Sequence, residues 1–413
     1  MHVYVLNIKG EPLMPCKPAK ARKLLRDNKA KVINRTPFTI KLMFECENQV
    51  QEVTLGVDTG SKTIGLSATT EHKELFSAEV EIRNDIVDLL SARRAFRRAR
   101  RNRKTRYRPA RFFNRRKPKG WLAPSVQNKI DTHLKVVEMV HGILPISKTI
   151  VEVAQFDIQK IKDPDISGAE YQQGEQLGFW NVREYVLFRD GHTCQHCNGK
   201  SKDKILNVHH IESRKTGGDS PGNLITLCTT CHNRHHKGEV NLNAKRAQSF
   251  RNAVFMGIMR WAFYNKLKET YPSVSLTYGY ITKNTRIRHE LEKSHRVDAR
   301  CISGNPEAEE SSCWYFFKHV RKQNRQLHKA NPKKGVRKAN KAPRFVHGFE
   351  LFDEVEYQSE PCFIFGRRTS GYFDIRKLDG TKVHSSASHK KLRKLSKTSS
   401  LLCERRQATS SHD

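Results

Sequence analysis

Two Cys-x-x-Cys pairs about thirty residues apart, Cys194-x-x-Cys197 and Cys228-x-x-Cys231, constrain this chain more than any other stretch of it. Four thiolates at that spacing close one tetrahedral zinc site. The same stretch holds His209-His210, then Asn223, then His232-x-x-x-His236. A bare zinc knuckle uses the sulfurs and leaves the histidines and Asn223 without a purpose. The fuller pattern points instead to a zinc-braced nuclease core. His232 and His236, four residues apart, share one helical face, and with His209 they are the candidate ligands of one catalytic divalent ion. His235 competes with His236 for that role. His210 is the candidate general base that takes a proton from water, and Asn223 holds the loop or orients His210.

The charge balance narrows the partners. Lysine and arginine number 77 against 42 aspartates and glutamates, a formal net charge of +35. Neutralising phosphates releases counterions, so a polyanion such as DNA or RNA is the natural ligand. A ribosomal-type protein or a membrane-surface protein shares that composition, but no apolar run approaches the ~20 residues that span a bilayer. Met1-His2-Val3-Tyr4-Val5 gives way at once to polar residues, so no secretion signal is expected. Six cysteines outside the paired motif (Cys16, Cys46, Cys301, Cys313, Cys362, Cys403) are expected mostly as buried thiols rather than disulfides.

Residues 1–48 read as a small basic α/β module, with a strand at Val3–Leu6, a turn from Gly10 to Pro15, a helix from Lys20 to Asp27 and two further strands. Such a module either grips a nucleic-acid backbone or caps the fold. Val53 to Ser67 follows as strand, Gly-rich turn and strand, with Asp58 near the end of the first. An acid in an apolar strand is costly unless a cation or donor meets it. Thr149 to Ala154 repeats the pattern with Glu152, and Ser294 to Ile302 reads as a helix carrying His295 and Asp298 on one face. Three carboxylates on strand, strand and helix can hold two Mg²⁺ (or Mn²⁺) ions about 4 Å apart, which is phosphodiester chemistry on an RNase H-like sheet. His295 then handles a proton beside the scissile phosphate.

Between the first two acids, Arg93 to Lys119 holds fifteen lysines and arginines in 27 residues and no acid. Ala92, Ala95, Phe96 and Ala99 recur at helical spacing, which predicts a helix to Arg108 that Pro109 stops or kinks. Charge runs are often solvated tails. This one is internal and interleaved with Phe112, Phe113 and Trp121, which favours an arginine helix on nucleic acid. Its phosphate contacts would be Arg93, Arg94, Arg97, Arg98, Arg100, Arg101, Arg103, Arg106 and Arg108. Elsewhere the pattern predicts helices over Thr132–Ile143 and within Leu242–Lys268, and a strand over Val274–Tyr280. It also predicts a polar connector from Asp157 to Gly178, a basic linker at 324–343, a β unit over Phe349–Val383 and a basic end from Ser385 that frays.

Taken in order, these features resemble the IscB family of transposon-encoded, RNA-guided endonucleases, ancestral to the CRISPR type II effectors. The resemblance rests on Leu13-Met14-Pro15, Gly56-Val57-Asp58-Thr59-Gly60, the arginine helix, the Glu152 strand, the Cys194–His236 block and His295-x-x-Asp298. It implies an α/β multidomain protein whose RNase H-like (RuvC) mixed sheet is split in sequence. The implied divisions are an N-terminal module (1–48), RuvC-like parts at 49–90, 121–178 and 243–323, a bridge helix (91–120), an inserted ββα-metal HNH domain (179–242), and a basic linker with a C-terminal β unit (324–413). The last would read a short target-adjacent motif. A long noncoding guide RNA would pair with a double-stranded DNA target; HNH would cut the paired strand and RuvC the displaced one. A monomeric, cytoplasmic ribonucleoprotein is implied, prokaryotic and on the nucleoid when bound to target. Thr59 stands where the family commonly has proline, which should leave Asp58 in place. The competing readings are an unguided homing or restriction endonuclease, which needs no second acid set, and a noncatalytic zinc-containing nucleic-acid-binding protein.

Overall fold

The computed structural model describes residues 2–101, 121–153, 176, 178–179, 181–213, 218–247, 251–321 and 342–408. Arg103, Arg106 and Arg108, most of the connector after Asp157 and nearly all of the 324–343 linker lie outside these residues. The chain divides into two compact units, Met1–Ala154 with Met256–Asp413, and Gln155–Phe255.

The first unit opens with β1 (Val3–Leu6), β2 (Pro12–Cys16), α1 (Pro18–Arg26), β3 (Ala30–Asn34) and β4 (Thr39–Leu42), in a sheet of order β2-β1-β4-β3. The stretch expected as a turn from Gly10 to Pro15 is therefore largely strand. It lies on the sheet edge, where the missing N–H of a proline breaks no ladder. Ala21 of α1 packs on Val3, Val5 and Ile40 to close this small core.

The chain continues through β5 (Thr54–Asp58), β6 (Thr63–Thr69), β7 (Glu74–Glu81), α2 (Ile86–Arg101), α3 (Pro124–His141) and β8 (Lys148–Val153). The arginine-bearing helix α2 begins at Ile86, earlier than the alanine spacing indicated. Arg93, Arg94, Arg97 and Arg98 are exposed on it, with Ala95 and Phe96 half-buried. α3 likewise starts early, because Pro124 sits in its first turn, where its fixed φ suits a helix. The second unit contributes α4 (Val182–Arg189), β9 (Leu206–His210), β10 (Leu224–Cys228) and α5 (Thr229–Lys237).

Then come α6 (Arg251–Thr270), β11 (Val274–Tyr278), α7 (Gly279–Arg288), α8 (His295–Ile302) and β12 (Cys313–His319). The helix expected from Leu242 begins only at Arg251, and the strand expected to Tyr280 ends at Tyr278. The C-terminal part holds β13 (Glu354–Tyr357), β14 (Glu360–Arg367), β15 (Tyr372–Arg376), β16 (Lys382–Ser388), β17 (Arg393–Ser396) and β18 (Leu401–Gln407). Five of these strands form a sheet of order β16-β15-β14-β13-β17 over a core that includes Val355, Ile364, Phe373 and Ile375. The basic stretch after Ser385 carries β17 and β18, and its last residues, 409–413, where fraying was expected, lie outside the described residues.

The main sheet has the order β11-β8-β5-β6-β7-β12-β18. β5 pairs antiparallel with β6 and parallel with β8, which pairs parallel with β11; β6 and β7 are antiparallel. Leu55 and Val57 of the central strand are fully buried, as a strand covered on both faces requires. β18 returns to pair with β12, so the last strand belongs to this sheet and not to the five-stranded one.

α3 packs on this unit through His133, which is fully buried, lies with its ring tilted 57° to that of Phe263 at 5.2 Å and donates Nδ1–H to Lys129 O at 2.7 Å. Its Nε2 has no partner, and burial lowers its pKa to about 4. The folded value lies below the unfolded 6.5, so between the two the unfolded chain carries the extra proton. Stability is therefore full above about pH 6.5 and falls as pH drops toward 4, by up to about 3 kcal/mol for this one group. Chemical denaturation of the natural protein and of His133→Leu at pH 7.5 and 5 should show a smaller acid loss in the variant; equal losses would remove His133 as the cause.

Candidate active sites

The second unit is built on a hairpin and a helix. β9 and β10 pair antiparallel with His209 opposite Ile225 and His210 opposite Leu224. α5 follows directly, its N-terminus capped by Cys228 Sγ, which accepts from Cys231 N at 3.5 Å, and its end turned by Gly238 at φ +81°. The sulfurs of Cys194, Cys197, Cys228 and Cys231 all lie within 4.8 Å of one another. Cys197 Sγ and Cys228 Sγ are 3.9 Å apart, close to the ~3.8 Å edge of a tetrahedron with 2.3 Å Zn–S bonds. Donors from Ser201 draw the Cys197 thiol down to about 6, and burial pushes Cys231 up. The four cysteines thus fit a structural zinc ion.

His209, His232 and His236 form a second group whose ligand atoms lie within 4.8 Å of each other. His232 Nε2 and His236 Nε2 face each other at 3.3 Å, near the ~3.4 Å expected for two imidazoles on one tetrahedral ion. Burial, then the neighbouring His232, His235 and His236, lowers His209 to about 4, so its imidazole is neutral at neutral pH. His235 is held differently, donating Nδ1–H to Val240 O at 2.9 Å. His210, next on the strand, points to the other side and pairs through Nε2 with Asp219 Oδ1 at 2.9 Å. Asp219 was not foreseen in the sequence. Asn223 is fully buried, accepting from Glu212 N at 2.9 Å and donating to Glu212 O at 3.0 Å and Gly218 O at 2.9 Å. It fastens the loop between the strands and does not touch His210 through any of these bonds.

In the first unit, two glycines let α8 lie directly on the sheet. A Cβ at Gly56 would stand 2.0 Å from Ala299 O, and one at Gly65 would stand 1.9 Å from His295 O. Gly65 is also the register partner of Asp58. This close approach brings His295 Nδ1 to 2.6 Å from Asp58 Oδ2. Hydrogen bonding to Asp58 raises the His295 pKa. Glu152 and Asp298 are both raised, first by burial and next by the charge of Asp58.

Two arginines that sequence reasoning missed complete the cluster. Arg260 of α6, almost wholly buried, has Nη2 3.3 Å from Glu152 Oε1 and donates from Nε and Nη2 to Thr59 O at 3.1 and 2.6 Å. Arg286 Nε lies 2.9 Å from Asp298 Oδ1, a charge contact rather than an aligned hydrogen bond. Thr59, at the position where proline was anticipated, donates Oγ1–H to Glu152 O at 2.8 Å and so ties the end of β5 to β8. Each of the three acids thus has a basic partner: His295 on Asp58, Arg260 on Glu152 and Arg286 on Asp298. Glu152 and Asp298, raised by burial and then by the charge of Asp58, form with it a donor set that hard divalent ions stabilise.

Two stretches of the chain match known protein families. Residues 3–174 match the family described as the RRXRR protein, and residues 194–238 match the HNH endonuclease family. No curated protein matches the chain. Solved structures similar to it include Streptococcus thermophilus Cas9 in complex with the GGAA PAM, at 16% identity and a TM-score of 0.34 over 52% of this chain and 30% of that one. Another is the same organism's Cas9 in complex with the AGGA PAM, at 16% identity and a TM-score of 0.33 over 50% and 30%. The chain thus spans less than a third of the length of those proteins. Residues 194–238 thus carry an HNH endonuclease domain. Among the described residues, no helix is long and apolar enough to cross a membrane.

Proposed function

We propose that this nuclease is an RNA-guided DNA endonuclease of the IscB kind, with a separate hydrolytic centre for each DNA strand. The observation that carries the reading is the second cluster, Asp58, Glu152, Asp298 and His295, built on a sheet apart from the HNH residues. Supporting it, the strand order β7-β6-β5-β8-β11 with its antiparallel and then parallel pairing is what an RNase H-like core requires. An unguided HNH enzyme has no use for that cluster.

At the HNH centre, His209, His232 and His236 would hold one divalent ion, which supplies charge stabilisation at the scissile phosphate. His210 takes the proton of the attacking water; with Nε2–H given to Asp219, Nδ1 is its basic nitrogen. Asn223 keeps the His210 loop in register. At the carboxylate centre, Asp58, Glu152 and Asp298 would hold two Mg²⁺ or Mn²⁺ ions, and His295 moves a proton next to Asp58. The arginines of α2 would contact guide RNA phosphates, and the five-stranded C-terminal unit would read a short motif beside the target.

Expression together with flanking genomic DNA, followed by purification and sequencing of bound RNA, tests the guide. One discrete RNA should co-purify, and ribonuclease treatment should abolish site-specific cutting. A protein that carries no discrete RNA, yet cuts, is an unguided enzyme.

A further inference from the structure

The chain between β11 and α7 presents two exposed aromatic rings beside the carboxylate centre. Tyr278 is 40% and Tyr280 67% exposed, and their rings are nearly parallel, at 14° with centroids 6.1 Å apart. Between them stands Gly279, where an added Cβ would come within 3.2 Å of Glu152 Oε1. The backbone that roots both rings is therefore pressed against a candidate catalytic acid. Both rings stand among the exposed large hydrophobic side chains, so burial in a core does not explain them. Ile281 and Ile287, also exposed, extend the apolar surface along α7.

From this juxtaposition we infer that Tyr278 and Tyr280 form a stacking platform for unpaired nucleobases of the DNA strand that enters the carboxylate centre. The inference rests on the reading of that centre as the one that cuts a displaced single strand. A base in a duplex already stacks on its neighbours; a base in a displaced strand has free faces, and an aromatic ring accepts any of the four. The net charge of +35 draws in the polyanion, and the rings then fix the strand along its length. Tyr278 and Tyr280 are positioning residues: they hold bases while the acids act on the phosphate.

The test uses the purified ribonucleoprotein and a duplex target whose two strands carry different labels. Tyr278→Leu with Tyr280→Leu keeps apolar bulk and removes the ring faces; Tyr278→Phe with Tyr280→Phe keeps the rings. The leucine pair should slow displaced-strand cutting by about 10- to 100-fold and spread its cut positions, leaving the paired strand at its natural rate. The phenylalanine pair should cut both strands normally. A single-stranded oligonucleotide containing 2-aminopurine should be quenched on binding by the natural protein and the phenylalanine pair, and not by the leucine pair. Tyr280→Ala, which removes the more exposed ring alone, serves where the leucine pair fails to fold. Natural cutting rates, positions and quenching in the leucine pair or in Tyr280→Ala would overturn the platform. An Asp58→Ala control separates the two claims. Loss of displaced-strand cutting in Asp58→Ala, with none in the tyrosine variants, rejects only the platform; survival of that cutting rejects the centre itself, and the platform with it.

Discussion

Asp58→Ala is expected to abolish cutting of the displaced strand while leaving the guide-paired strand cut at its natural rate, and His210→Ala is expected to do the reverse. Asp58 is the central acid: its charge raises both Glu152 and Asp298, and it holds His295 at 2.6 Å. Its removal takes a ligand from any ion held there and the hydrogen-bond partner from His295. Losing one electrostatic stabiliser of a transition state costs roughly 10²- to 10³-fold. A general base, the role proposed for His210, contributes roughly 10²- to 10⁴-fold. Nicking assays with each strand labelled read both effects in one reaction. Loss of both strands in either single variant would mean one centre served the whole reaction.

The second large effect concerns zinc. The buried cluster of the second unit consists of Cys194, Leu227, Cys228 and Cys231, with Cys197, Leu206, Ile225 and Leu242 packed against it. Half of that small core is therefore metal ligand, and the remaining aliphatic surface is too little to fold a domain of this size alone. Structural zinc binding contributes on the order of 10 kcal/mol to such folds. Cys228→Ser, or prolonged treatment with a strong chelator, should unfold the hairpin and helix and abolish cutting at the HNH centre. Restoring zinc should rescue the chelated protein and not the variant. Hydrogen exchange gives the readout, with fast exchange expected over β9, β10 and α5 and protection kept in β5 and β6. Full protection of β9 and β10 in the metal-free protein would show that the sulfurs are dispensable.

The parts of the two centres that were legible in the sequence are those written in local spacing. Cys194 to His236 could be read because ligand geometry fixes Cys-x-x-Cys and His-x-x-x-His. Asp58 and Glu152 stood out as acids inside apolar strands. Arg260, Arg286 and Asp219 carry no such mark, because an arginine or aspartate acquires its meaning only from the partner that the fold brings to it. β7 escaped notice because a strand buried along most of its length loses the alternation that marks an exposed sheet, and β12 because Trp314 and Phe316 put apolar rings at its half-buried positions. At Tyr278 the apolar alternation continued into Tyr280, but the chain enters a helix at Gly279. β18 could not be assigned to the main sheet from sequence, since its partner β12 lies far back along the chain.

The bare-backbone seat that Gly56 and Gly65 provide for α8 also governs when each centre can first exist. His295 reaches Asp58 across 237 positions of sequence. The histidine and cysteine groups need nothing beyond His236. A chain emerging from the ribosome at about 5–20 residues per second completes the second unit several seconds before Asp298 and the rest of α8 can settle onto the two glycines. Contacts so distant in sequence also form slowly once available. A nascent molecule therefore completes its histidine and cysteine groups earlier than its carboxylate cluster.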